Sequence, residues 1–127
     1  TFSGPTDLDP STSLTQDAQT LGVEFYIDRD PYSAIKDADL IATDTWISMH
    51  DDPKAKKERR NQLKAFQVNE ELMSKAKTDV LFMHCLPAHR DEEATSGVMD
   101  GKNSVIFDEA ENRLHVQKAI MRWCLSR

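Results

Sequence analysis

The stretch Val80-Leu81-Phe82-Met83-His84-Cys85-Leu86-Pro87 decides the fold. Its first four residues are apolar without alternation, the mark of a strand covered on both faces, and its last four are chemically dense. A strand over residues 80–83 that hands over to His84 and Cys85 is the expectation. Outward from it, Leu40–Thr43 and residues 23–27 and 104–107 read as further strands of the same kind.

The connectors read as helices. Residues 11–21 form a short helix stopped by Gly22, whose missing side chain suits the left-handed position after a helix. Asp30 and Asp52 each precede a proline, so each accepts from a free amide while the proline, first in the helix, gives up no needed N–H. These signals predict a helix from Pro31 to near Ala38 and a largely solvated one over residues 54–64. After a break at residues 66–68, Asn69 caps a short helix through Lys75. The last helix runs from Glu109 to about Leu125, with Val116, Ala119, Ile120 and Trp123 on one apolar face. The alternation predicts an α/β fold: a parallel sheet of about four strands with flanking helices, a Rossmann-like three-layer domain occupying residues 1–127 as a single unit.

Composition narrows the function classes. The 127 residues carry 22 acidic and 16 basic side chains, a formal charge of −6, with no long basic block. That balance argues against an electrostatic grip on nucleic acid or on an anionic bilayer. The longest apolar runs fall far short of the roughly 20 residues that span a membrane. Two cysteines, Cys85 and Cys124, make no disulfide framework, and no secretory leader is apparent, so a reducing cytoplasm is the expected setting. The chain opens on Thr1 with a stretch rich in Ser, Thr, Pro and Asp, which suggests a piece of something longer.

In a parallel sheet, ligands sit beyond the carboxyl ends of the strands, and three polar clusters fall there. The first is Asp44-Thr45-Trp46-Ile47-Ser48-Met49. A carboxylate and a hydroxyl this close suit an ammonium group; equally, Asp44 and Ser48 can satisfy turn amides while Trp46 and Met49 pack on the core. The second is His84-Cys85-Leu86-Pro87-Ala88-His89-Arg90. Its thiol can act as nucleophile, metal ligand, hydrogen-bonding group or inert core residue, and Leu86-Pro87 can adopt a cis peptide. A zinc reading recruits His84, Cys85 and His89 but lacks a second ligand pair, so no metal is expected. In the third, Asp108-Glu109-Ala110-Glu111-Asn112-Arg113, Asp108 caps the last helix and Glu111 completes a capping box. Arg113, placed by that start in the first turn, faces the positive end of the helix dipole. A binding role and a salt bridge to Asp108 or Glu109 both account for it.

These three motifs, in this order and separation, resemble the ornithine carbamoyltransferase family, from about Leu21 to Trp123. The resemblance implies that Asp44 pairs with the α-ammonium of L-ornithine, that Ser48 hydrogen-bonds it and that Met49 adds a backbone amide. It implies that Cys85 is the family's active-site cysteine, that the Cys85 and Leu86 carbonyls accept from the carbamoyl NH2 and that Arg113 faces the carbonyl of carbamoyl phosphate. Cys85 and Arg113 are then the catalytic pair. The δ-amine attacks the carbamoyl carbon and phosphate leaves, with no cofactor, metal or acyl-enzyme. Related aspartate-specific enzymes carry proline where this chain has Cys85, which favours ornithine.

Two departures accompany the resemblance. His50 stands where ornithine enzymes often have glycine. The Ser-x-Arg-Thr-Arg run and the His-Pro-x-Gln motif that grip carbamoyl phosphate do not occur here, nor does the first strand and helix of the ornithine domain. The expectation is therefore a carboxyl-terminal, ornithine-binding portion, incomplete on its amino-terminal side, inactive alone and part of a homotrimer when whole. Two alternatives stand beside it: a non-catalytic amino-acid-binding module, and a carbamoyltransferase with a related amine acceptor.

Overall fold

Two parallel strands, β1 (Leu40–Thr43) and β2 (Leu81–His84), run side by side with Leu40 opposite Leu81 and Thr43 opposite His84. The computed structural model describes residues 1–47 and 52–126. Ser48 and Met49, both expected in the site, and His50 lie outside the described residues. Helices flank the strand pair: α1 (Thr12–Thr20), α2 (Pro31–Ala34), α3 (Pro53–Leu63), α4 (Glu70–Met73), α5 (Ser96–Met99) and α6 (Ile106–Leu125). The molecule is an α/β protein with a parallel sheet and flanking helices.

Local chemistry fixes most helix starts. The side chains of Ser11, Asp30, Asp52 and Asn69 accept from the amides of Leu14, Tyr32, Lys54 and Leu72, with Pro31 and Pro53 in the first turns of α2 and α3. Each such bond supplies a partner to an amide that the helix cannot satisfy, worth about 1 kcal/mol. Gly22 follows α1 at φ 69°, the left-handed conformation that favours glycine. Helix α2 ends at Ala34, short of the expected Ala38, and passes through turns to Asp37 at φ 62°.

Phe82, with no exposed surface, lies at the centre of a core that includes Ile41, Val68, Leu72, Val80, Ala94, Met99 and Ile106. Burying a side chain of this size stabilises the fold by about 2–3 kcal/mol. Thr95 caps α5, which delivers Val98 and Met99 to that core. This short helix has no counterpart in the sequence expectations.

The sheet is narrower than expected. Among the described residues, 23–27 form a single parallel bridge, Ile27 to Phe2, and Val23 and Tyr26 are exposed. Residues 104–107 contribute one parallel bridge, Ser104 to Phe82, before the chain turns into α6 at Ile106. A short apolar run such as Val105-Ile106-Phe107 does not distinguish a strand from the first turn of a helix, and here Ile106 begins a helix. The two strands also alternate: Leu40 and Leu81 are exposed, whereas Ile41 and Phe82 are buried, so within this chain one face of the sheet is uncovered.

The start of α6 corrects three expectations. Its cap is Val105, with no side-chain capping bond, so Asp108 and Glu109 lie in the first turn and the Asp108–Glu111 capping box does not form. Arg113 stands about two turns in, clear of the positive end of the dipole. The apolar face carrying Val116, Ile120 and Trp123 is 54–55% exposed.

Candidate active site at the carboxyl ends of the strands

Register brings the first two clusters together. Because Thr43 pairs with His84, the residues that follow, Asp44 and Cys85, emerge side by side. Cys85 Sγ donates to Asp44 Oδ1 across 3.0 Å, and the Thr45 amide donates to the same oxygen at 2.7 Å. Thr45 Oγ1 then donates to the Pro87 carbonyl at 2.6 Å. The turn after Cys85 is built from a cis Leu86–Pro87 peptide and Leu86 at φ 51°. Its Leu86 amide donates to His84 Nδ1 at 3.0 Å, which leaves the His84 proton on Nε2.

The contact sets the charges. The Cys85 thiol, then the Thr45 amide and nearby His84, hold the Asp44 carboxyl below its ordinary value of 3.8 against the opposing effect of burial. The same bond, with burial and the negative charges of Asp44 and Glu109, pushes the Cys85 thiol above 9.0. Cys85 is therefore a neutral hydrogen-bond donor near pH 7 rather than a thiolate nucleophile. Asp44 is an exposed, ionised carboxylate suited to a cation.

The third cluster closes the rim. Cys85, Leu86 and Pro87 line one wall of an open groove, and Ala110, Arg113 and Leu114 of α6 line the other. Arg113 is exposed and makes no ion pair with Asp108 or Glu109 among the described residues, so the salt-bridge account of it does not apply. A separate cavity lined by Met73, Val80, Gly97, Val98 and Asn103 opens at the amino end of β2, and its lining holds no cysteine, histidine or aspartate.

Glu93 was not among the expected site residues. Fully buried, it accepts from the His89 amide at 2.7 Å, from His89 Nδ1 at 3.0 Å and from the Trp46 amide at 3.3 Å. The available sequence signal was the four-residue separation of His89 and Glu93, which carries little weight outside a helix. Ligand atoms of His89, Glu92 and Glu93 lie within 4.8 Å of one another. Glu92, however, is engaged by the Arg60 guanidinium through two bonds of 2.9 Å, and both Glu93 oxygens accept N–H donors. The residues weighed for zinc, His84, Cys85 and His89, do not converge on one point among the described residues.

The family model for the Asp/Orn-binding domain of aspartate/ornithine carbamoyltransferase matches residues 1–124. The chain belongs to that family. As a carbamoyltransferase Asp/Orn-binding domain it is 65% identical over 125 residues to ornithine carbamoyltransferase of Paracoccus denitrificans, covering 98% of this chain and 41% of that protein. It is 63% identical over 125 residues to the same enzyme of Cereibacter sphaeroides. Among solved structures, ornithine carbamoyltransferase of Pyrococcus furiosus superposes with a TM-score of 0.82 at 48% identity, over 92% of this chain and 38% of that one. The chain thus spans about two-fifths of the length of these relatives. The match also includes residues 1–20, which precede the stretch that carries the resemblance. Here Arg29 grips Asp9 through two 2.6 Å bonds and the Gly4 carbonyl at 2.8 Å.

Proposed function

We propose that this chain supplies the ornithine-side half of an ornithine carbamoyltransferase site. The observation that carries the reading is the Asp44–Cys85 contact at paired strand ends, with Arg113 across the adjoining groove. Asp44 offers its charge to the α-ammonium of L-ornithine, while Ser48 and Met49 hold the same end of the substrate. The carbonyls of Cys85 and Leu86 accept from the carbamoyl NH2. Arg113 donates to the carbonyl oxygen of carbamoyl phosphate.

In the reaction, the lone pair of the uncharged δ-amine forms a C–N bond to the carbamoyl carbon. The C–O bond to phosphate breaks with its electron pair, phosphate departs, and the amine sheds a proton to give L-citrulline. No covalent enzyme intermediate is needed, which suits a Cys85 kept as a thiol. Rate arises from alignment and from donors aimed at the developing oxyanion.

The carbamoyl phosphate grip resides on an amino-terminal domain, so the 127 residues alone do not turn over. In this reading the whole enzyme is a homotrimer that works in the cytoplasm. The test joins this chain to the amino-terminal portion of the Paracoccus denitrificans relative. Citrulline formation from ornithine and carbamoyl phosphate is expected from the joined protein and not from the chain alone. A joined protein that folds, binds carbamoyl phosphate and makes no citrulline overturns the reading.

A further inference from the structure

Building on the carbamoyltransferase reading, we infer that Glu93 is a positioning residue whose buried carboxylate fixes the Asp44 loop against the Cys85–Leu86 loop and so sets ornithine affinity.

Three segments converge on it. The Trp46 amide that donates to Glu93 Oε1 lies two residues beyond Asp44, and the His89 amide that donates to Oε2 lies four residues beyond Cys85. His89 Nδ1 adds a second bond to Oε1. The Glu93 backbone is itself anchored, because its carbonyl accepts from the amide of buried Val68 at 3.0 Å and Ala94 next to it has no exposed surface. Both loops are therefore referred to one fixed point in the core. The exposed Thr45–Pro87 bond joins the same loops nearer the rim.

A buried carboxylate is costly unless its oxygens are satisfied, and here the satisfaction comes from the two loops that bear the proposed substrate groups. His84 Nε2 faces Glu93 Oε2 at 4.0 Å and has no hydrogen-bond partner among the described residues. Glutamine at position 93 keeps the volume but turns one acceptor into a donor. Of three N–H donors now sharing two acceptor oxygens, at least one is left facing an NH2 group.

The experiment uses the joined protein described above. Glu93→Gln is expected to raise the KM for ornithine about tenfold, with the KM for carbamoyl phosphate within about twofold and kcat falling less than KM rises. Glu92→Gln, which removes the neighbouring carboxylate paired with Arg60, is expected to leave both constants within about twofold. An ornithine KM unchanged in Glu93→Gln, or an equal loss for both substrates, overturns the inference. Should Glu93→Gln fail to fold, hydrogen exchange on the unaltered protein decides: Trp46 and His89 amides protected like core amides support the clamp, and exchange at exposed-loop rates overturns it. Failure of the unaltered joined protein to make citrulline removes the carbamoyltransferase reading, and the exchange measurement still judges the clamp.

Discussion

The Cys85 thiol donates to the Asp44 carboxylate across 3.0 Å, between residues 41 positions apart in sequence. A parallel register with Thr43 opposite His84 is enough to bring them together, since each is the first residue past its strand. The bond opposes ionisation of the thiol and favours ionisation of the carboxyl, so each partner is left in the form that the proposed chemistry uses. A cation arriving at Asp44 meets a carboxylate already charged and already oriented by the Thr45 amide.

This coupling predicts how Cys85 reacts. In a Cys124→Ser background, the rate of alkylation of Cys85 by iodoacetamide is expected to rise with pH with a midpoint above 9.0. Asp44→Asn removes the negative charge and leaves only a neutral amide beside the thiol, so the midpoint moves down. An unmoved midpoint means that the thiol does not sense Asp44.

The same bond links stability to pH. Asp44 has its carboxyl lowered in the folded state, so its contribution is complete above the ordinary 3.8 and is lost as pH falls through the lower folded value. Cys85 is raised, so its contribution is complete below 9.0 and is lost as pH rises through the higher folded value. Thermal melts should therefore show the Tm advantage of the unaltered protein over Asp44→Asn at pH 6 shrinking below pH 3.8. A difference that stays constant across that acid range refutes the assignment.

Packing beneath the site gives a third expectation. Phe82 pairs with Ile41, bridges to Ser104 and has no exposed surface. Phe82→Ala is expected to cost about 3–5 kcal/mol, measurable by urea denaturation, and to disturb both strand ends at once. A loss below about 1 kcal/mol is too small for a side chain at the centre of the core.

Much of the fold was legible because it rests on short-range chemistry. Asp30, Asp52 and Asn69 cap helices where their side chains and following residues said they should, and Gly22 takes the left-handed turn. The misplaced start of α6 came from Ile106 and Phe107, whose apolar character fits a strand end as well as a helix start. The two missing strands failed for a long-range reason: a strand exists only where a partner supplies its ladder, and Phe2 and Phe82 offer residues 23–27 and 104–107 one bridge each. In the site, Asp44 and Cys85 were readable as strand-end residues. Arg113 was singled out on a dipole argument that the position of α6 removes, although the residue does line the groove. Glu93 was invisible because its role depends on two loops folding onto it.

A fourth expectation isolates a single cap. Asn69 accepts from the Leu72 amide at 2.8 Å and starts the helix that buries Leu72. Asn69→Ala should lower stability by about 1 kcal/mol, a fall in Tm of about 4 °C, while Asn69→Asp should be nearly neutral. An equal loss in both variants would place the effect somewhere other than the cap.

The groove tests the proposed division of labour. Replacing Arg113 by alanine in the joined protein removes a donor from the developing oxyanion, so kcat for citrulline formation should fall about 10²–10³-fold. An Arg113→Ala protein with kcat within about threefold of the unaltered one would show that the guanidinium does not face the reacting carbonyl.

The most direct measurement is the steady-state KM for ornithine in the joined protein before and after Asp44→Asn. Removing a charge-assisted bond worth about 1.5–3 kcal/mol should raise that KM about 10–100-fold while the KM for carbamoyl phosphate stays within about twofold. An ornithine KM that does not change contradicts the assignment of Asp44 to the substrate ammonium, and with it the reading of these strand ends as an ornithine site.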